Sequence, residues 1–384
     1  MSAIPPEQLR DKTAIVGVGT TAFGAMYRDL DPERTSYELA ADAFRNALDD
    51  SGVEKDDIDG LICVRVEEYQ RMTDYLGLRH VRLVNGLEGS GRMAGVALQY
   101  AVMAIATGQC ETVAIVYGNN GRSVGATYGG GNNPASTVAY DAMYGMTSPG
   151  AYVSHMFRRH QHEFGTSPDA LAALAINNRK NGAKNPNAVF QKEITYEEYM
   201  QARYIAEPLR LFDYCIINDG GVALIVTTAE KAKTLKQPPA YVSATYTTTD
   251  LTNYYTSKDC FYTACQDVAN RIYDAAGISR DDVDCAQVYD NFLPVILFSL
   301  EGFGFCERGK SGDWVRGGRI ELGGDLPINT SGGHTSESYM QGFGLTVEAV
   351  RQLRGQAGDR QVPDCDVVQY ICASPIVNSH ILRR

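Results

Sequence analysis

Two tyrosines stand in short segments rich in groups that can move protons. Tyr289 lies in Val288-Tyr289-Asp290-Asn291-Phe292, and Tyr339 closes the run Asn329-Thr330-Ser331-Gly332-Gly333-His334-Thr335-Ser336-Glu337-Ser338-Tyr339. A phenol gives up a proton when neutral and accepts one when ionised, so two phenols in one pocket supply an acid and a base to one substrate. Tyrosine ordinarily titrates near pH ~10, so it acts as a base at neutral pH only if its pKa is depressed or proton loss is concerted with bond breaking. Asp290, Asn291, Gly333 and His334 are the supporting candidates. His334 follows a Gly-Gly turn, from which it either orients Tyr339 or bonds locally.

Covalent chemistry is harder to assemble. The turn Glu88-Gly89-Ser90-Gly91 precedes an Ala-rich apolar stretch, and no cysteine lies between Cys63 and Cys110. Glu88 is a further supporting candidate, against the alternative of a first-turn carboxylate favoured by the helix dipole. The nine cysteines form no Cys-x-x-Cys pair, which predicts reduced, buried thiols rather than disulfides or a zinc site. Cys372 is read as one of these small buried side chains. His155, His160 and His162 have no standard ligand spacing, so no metal is expected. Gly17-Val18-Gly19 imitates a dinucleotide fingerprint, but Phe23 to Pro32 does not read as the helix that such a site requires.

The elements that must position these groups alternate between strand and helix. Thr13 to Val18, Ile58 to Val64 and Thr112 to Tyr117 read as strands, and Ser36 to Ser51 and Met93 to Thr107 as helices. Such alternation predicts layered α/β structure. The segment Ser51-Gly52 to Val64 is echoed 225 residues later by Ala276-Gly277 to Tyr289. Each ends a helix on Gly and crosses an acidic turn into an apolar strand. A period far beyond the roughly 20 to 50 residues of solenoids implies two homologous halves. The rhythm breaks from about Asn119 to Arg210, read as an inserted loop domain over the site. The expected domains are therefore 1–118 with 211–240, 119–210, and 241–384.

Composition narrows the function. At 384 residues and 44% hydrophobic content the chain can bury a large core. A net charge of -11 argues against nucleic acid as a partner. No apolar run approaches the roughly 20 residues that span a bilayer, and the first residues lack signal-peptide regions, so a cytoplasmic protein without membrane attachment is expected.

Both tyrosine motifs, together with Asn177-Asn178-Arg179, Asn185-Pro186-Asn187-Ala188, Pro208 to Asp213 and Asn218-Asp219-Gly220-Gly221, resemble the lipid-transfer-type thiolases over nearly the whole chain. The resemblance implies two βαβαβαββ halves in a five-layered α/β/α/β/α core, usually dimeric. It also implies that Tyr289 and Tyr339 replace the family's two histidines, that Glu88 begins the turn of its nucleophilic cysteine, and that Asn291 replaces its second cysteine. The pattern is similar to that of the thiolase-like aldolases of steroid side-chain degradation. By that resemblance the expected reaction is retro-aldol cleavage of a β-hydroxyacyl-CoA, of the steroid or bile-acid side-chain class, to a ketone or aldehyde and a short acyl-CoA. CoA enters only as part of the substrate, and no further cofactor is implied. Arg158, Arg179 and Lys184 are candidates for its phosphates. A small partner with an OB-fold and zinc ribbon is implied, as is a homodimer, expected through Thr112 to Tyr117. The alternatives are a non-catalytic acyl-CoA or sterol carrier and an acyltransferase completed by a partner. Which tyrosine is the base stays open.

Overall fold

The computed structural model describes residues 5–88, 91–127, 143–250 and 257–384. Gly89 and Ser90 of the Glu88 turn, and the Gly129-Gly130-Gly131-Asn132-Asn133-Pro134 run, lie outside the described residues. The strands are β1 (Thr13–Thr20), β2 (Gly60–Val64), β3 (Leu83–Leu87), β4 (Thr112–Asn119), β5 (Tyr204–Ala206), β6 (Leu209–Arg210), β7 (Gly220–Thr228), β8 (Ala240–Thr249), β9 (Cys285–Val288), β10 (Val367–Cys372) and β11 (Ile376–Arg383). Nine of them form one sheet in the order β3-β2-β4-β7-β1-β8-β11-β10-β9. The short β5–β6 hairpin stands apart.

The echo in the sequence is an echo in space. β2 pairs parallel to β4, as β9 pairs parallel to β10. The preceding helices, Ser36–Ser51 and Tyr262–Ala276, both end on a left-handed glycine, Gly52 and Gly277. In the acidic turns, Asp59 accepts the backbone N–H groups of Glu111 and Thr112 at the start of β4, and Asp284 accepts those of Asp366 and Val367 at the start of β10. One carboxylate in each half thus fixes the register between two parallel strands. The halves meet where β1 pairs antiparallel with β8, at Ala14 opposite Tyr241 and Ile15 opposite Ala240.

Helices complete the layers. Ser36–Ser51 packs on β1, β4 and β7, and Tyr262–Ala276 on β8 and β11. Between the two sets of strands lie Ala94–Ala106, which touches β4 and β8, and Phe343–Leu353, which touches β1 and β10. The outer helix of the first half lies so close that a Cβ on Gly17, Gly19, Gly118 or Gly221 would come within 1.9 to 2.4 Å of its backbone carbonyls. Gly17 and Gly19 are therefore a packing surface, although Phe23–Arg28 is helical where the sequence reading expected no helix. From 149 to 201 the helices Pro149–Phe164, Asp169–Ala183 and Tyr196–Gln201 stand between β4 and β7.

One expectation is overturned. β4 is paired on both sides, with β2 and β7, so the Thr112 to Tyr117 run is apolar because it is central and has no free edge for a second copy. The edge of this half is β3, half-exposed along most of its length.

Replacing Asp59 or Asp284 with Ala strands two backbone donors and is expected to cost about 1–3 kcal/mol in either half, measured by denaturant unfolding.

Candidate active site

Tyr289 emerges from the end of β9, where its N–H donates to the Ile371 carbonyl at 2.8 Å. Beside β9 runs the chain at Ile328, bridged to Ala286, and this brings in Asn329 with a left-handed φ of 50°. The Asn329 side chain behaves as a strand neighbour. Its Oδ1 accepts Val288 N–H at 2.7 Å, and its Nδ2 donates to the Val288 carbonyl at 2.9 Å. The two tyrosine motifs are thereby joined one residue before Tyr289.

Asp290, fully buried, ties the loop down further. It accepts His334 N–H at 2.9 Å and Asn178 Nδ2 at 2.8 Å. His334 Nδ1 lies 3.1 Å from the same carboxylate, out of line for a hydrogen bond, while its Nε2 accepts Gly342 N–H at 3.1 Å. That acceptor role leaves Nε2 without a proton. Gly333 is required because a Cβ there would stand 2.4 Å from Asp290 Oδ2, at a φ of 61°. Tyr339 N–H donates to Asn218 Oδ1 at 2.8 Å. The His334 ring stands edge-on to both tyrosine rings.

This framework places the Tyr289 and Tyr339 hydroxyls 2.8 Å apart, in a hydrogen bond. Arg92 N–H, just before the Ala94–Ala106 helix, donates to the Tyr289 oxygen at 3.2 Å. A Cβ on Gly91 would meet Tyr289 Oη at 2.8 Å and Tyr339 Oη at 3.0 Å, so both hydroxyls occupy the space this glycine leaves. Tyr289 is 2% exposed, and Tyr339, half-buried, is the more exposed of the two.

Burial, reinforced by the nearby Cys372, pushes the Tyr289 phenol well above its usual range, with the Tyr339 hydrogen bond opposing it. Burial thus favours the neutral phenol at Tyr289. Burial also lifts Cys372 to about 11 and raises Cys215, so the thiols nearest the pair stay protonated.

Of the residues singled out from sequence, the structure gathers Tyr289, Tyr339, Asp290, Gly333 and His334. Asn291 is adjacent, its Oδ1 taken by Phe292 N–H and its carbonyl by Cys215 N–H. Glu88 is exposed and lines a cavity of about 570 Å³ with Arg65 and Asn119, a lining that includes neither tyrosine. The three cations do not converge. Arg158 pairs with Glu207, Arg179 lies over Phe190 and Phe212, and Lys184 lines a separate cavity of about 970 Å³ with Arg351 and Arg360. His160 is bound to Glu301 and Thr166 inside the protein. Sequence reasoning did not single out Gly91, Arg92 N–H, Asn329 or the amides of Asn178 and Asn218. For Asn178, Asn218, Asn329 and Gly91 there was a signal, since all four stand in the quoted segments.

Glu337 is buried two residues before Tyr339, and burial raises its carboxyl to about 7. A carboxyl raised above its unfolded value of about 4.3 stabilises the fold below that pH, and the contribution is lost as pH rises through about 7, at roughly 1.4 kcal/mol per unit. Glu337→Gln is expected to flatten the decline in stability between pH ~4.5 and ~7. Melting temperatures across that range check this.

The family described as "Thiolase, N-terminal domain" matches residues 13–230, and "Thiolase C-terminal domain-like" matches 247–379. A "Steroid side-chain-cleaving aldolase" of Thermomonospora curvata is 34% identical over 90% of this chain and 92% of its own. A "17-hydroxy-3-oxo-4-pregnene-20-carboxyl-CoA lyase" of Mycobacterium tuberculosis has the same identity and coverage. The solved structure titled "Ltp2-ChsH2(DUF35) aldolase" superimposes with a TM-score of 0.88 at 32% identity, covering 98% of both chains. Human mitochondrial 3-ketoacyl-CoA thiolase, at 13% identity and a TM-score of 0.69, shares the fold. By family match and by relatives that span nearly its whole length, this chain belongs to the thiolase family.

Proposed function

We propose that this protein is a carbon–carbon lyase that cleaves a β-hydroxyacyl-CoA by a retro-aldol reaction, with Tyr289 and Tyr339 as its proton-transfer pair. The observation that carries this reading is the 2.8 Å bond between two phenols beside a helix N-terminus, supported by relatives named for aldol-type cleavage of steroid side chains.

The pair works with one negative charge. Tyr339, the more exposed member, takes the proton of the β-hydroxyl. The Cα–Cβ bond then breaks, leaving a ketone or aldehyde and the enolate of the acyl-CoA. Tyr289, held neutral by burial, protonates the enolate at Cα. Proton transfer from Tyr339 to the Tyr289 phenolate across their hydrogen bond restores the starting state. The sequence needs no thiolate and no dissociable cofactor, since CoA is part of the substrate.

The names of the relatives point to a steroid side-chain CoA thioester as the substrate class. One solved relative is titled as a complex with a DUF35 protein, which supports a small partner protein for this chain as well. We assign a homodimer to the exposed β3 edge, next to which Tyr69 packs beside Gly86.

Assays with β-hydroxyacyl-CoAs, with and without the partner, test the reading. Tyr289→Phe and Tyr339→Phe are each expected to lower turnover at least ~10²-fold and stability by at most ~1–2 kcal/mol, while Cys372→Ser stays within a small factor. Loss of activity in Cys372→Ser with both Phe variants active would identify a rearranged thiolase. Thioester binding without turnover under any condition would identify a carrier. Sedimentation at micromolar concentration is expected to give twice the chain mass, and a monomer would remove the dimer.

A further inference from the structure

The charge on the tyrosine pair needs a donor, and the structure offers a main-chain one. Arg92 has a φ of 56°, in the left-handed region that an arginine adopts only when something holds it there. In this conformation its N–H points at Tyr289 Oη, 3.2 Å away. The opposite side of the same residue is gripped from β11. Asn378 Nδ2 donates to the Arg92 carbonyl at 3.0 Å and to the Ile376 carbonyl at 2.8 Å. Room for that amide comes from the first turn of the Ala94–Ala106 helix, where a Cβ on Gly95 would lie 2.2 Å from Asn378 Oδ1. Asn378 is itself fully buried. A strained backbone, a side chain that holds it and a glycine that admits that side chain are three separate features that converge on one hydroxyl.

We propose that the Arg92 main-chain amide stabilises negative charge on the tyrosine pair, and that Asn378 is the positioning residue that keeps this amide aimed at Tyr289. The helix N-terminus behind Arg92 adds its dipole in the same direction. The ionisable groups facing Tyr289 are Tyr339, His334, Cys215, Tyr370 and Cys372, and the charge of the Arg92 side chain acts on Cys372. None of the neighbouring thiols or phenols supplies positive charge, so a hydrogen-bond donor has a large effect there. The proposal rests on the acid–base role given above to the pair.

The test uses 3-fluorotyrosine at position 289 of the full-length protein, titrated by its ¹⁹F resonance, a readout that needs no turnover. In Asn378→Ala the ionisation midpoint is expected to rise by about one pH unit, and the ascending limb of kcat/KM against pH, which reports the hydrogen-bonded Tyr339 base, to move in the same direction. Asn378→Ser, which keeps a short donor, should shift both less, and it serves as the decisive variant if Asn378→Ala does not fold. In a Tyr339→Phe background the ¹⁹F shift caused by Asn378→Ala should persist, because it acts through Tyr289. An unchanged midpoint alongside reduced turnover would make Asn378 merely structural and overturn the proposal. A shifted midpoint in a protein with no lyase activity would uphold it and refute the aldolase reading instead.

Discussion

The Asn329 amide, bonded to both the N–H and the carbonyl of Val288, is the interaction on which the site depends. The segment from 329 to 342 has only one short helical turn of its own, so most of its backbone order must come from outside. Side-chain amides supply it. Asn178 binds Asp290, Asn181 and Asn185 bind the carbonyls of Asn329 and Ser331, and Asn218 receives Tyr339 N–H. An amide offers donors and an acceptor at once and carries no charge, so it can substitute for a missing strand without a counter-ion. Two phenols roughly 50 positions apart in sequence can then be set at hydrogen-bond distance.

Chemistry follows from what burial does to each kind of acid. Thiols near the pair are pushed away from ionisation, so neither Cys372 nor Cys215 is poised as a nucleophile. Phenols are pushed the same way, but two of them in contact can share one charge, and the Arg92 amide with its helix end offers further stabilisation. Desolvation and hydrogen bonding thus act against each other at Tyr289. The mechanism occupies the balance between them.

The layered α/β structure was legible in sequence because strand and helix patterns alternate, and the two halves because the Gly52 and Gly277 turns repeat with their acidic residues. The tyrosines were legible because their motifs keep a recognisable frame. β3 was not, since a half-exposed edge strand lacks the apolar run that marked β4. The expectation that β4 offers an edge failed for a related reason: apolarity on both faces reports a central strand, which has no edge to share. Glu88 and the three cations illustrate a different limit, because side-chain type does not say which way a loop residue such as Glu88 turns, or where the faces carrying Arg158 and Arg179 on two separate helices will point. Asn378 gave no local signal, since its partner lies 286 positions away.

The four glycines beneath the Ser36–Ser51 helix bear on how such chains diverge. Backbone carbonyls about 2 Å from each missing Cβ cannot move aside as a side chain would, so these positions admit no replacement without lifting a whole helix. The proposed proton-transfer pair faces a looser constraint, since its two hydroxyls occupy only the space left by Gly91 and are held by side-chain bonds. In this chain, therefore, positions 17, 19, 118 and 221 tolerate substitution less than the positions of the two phenols.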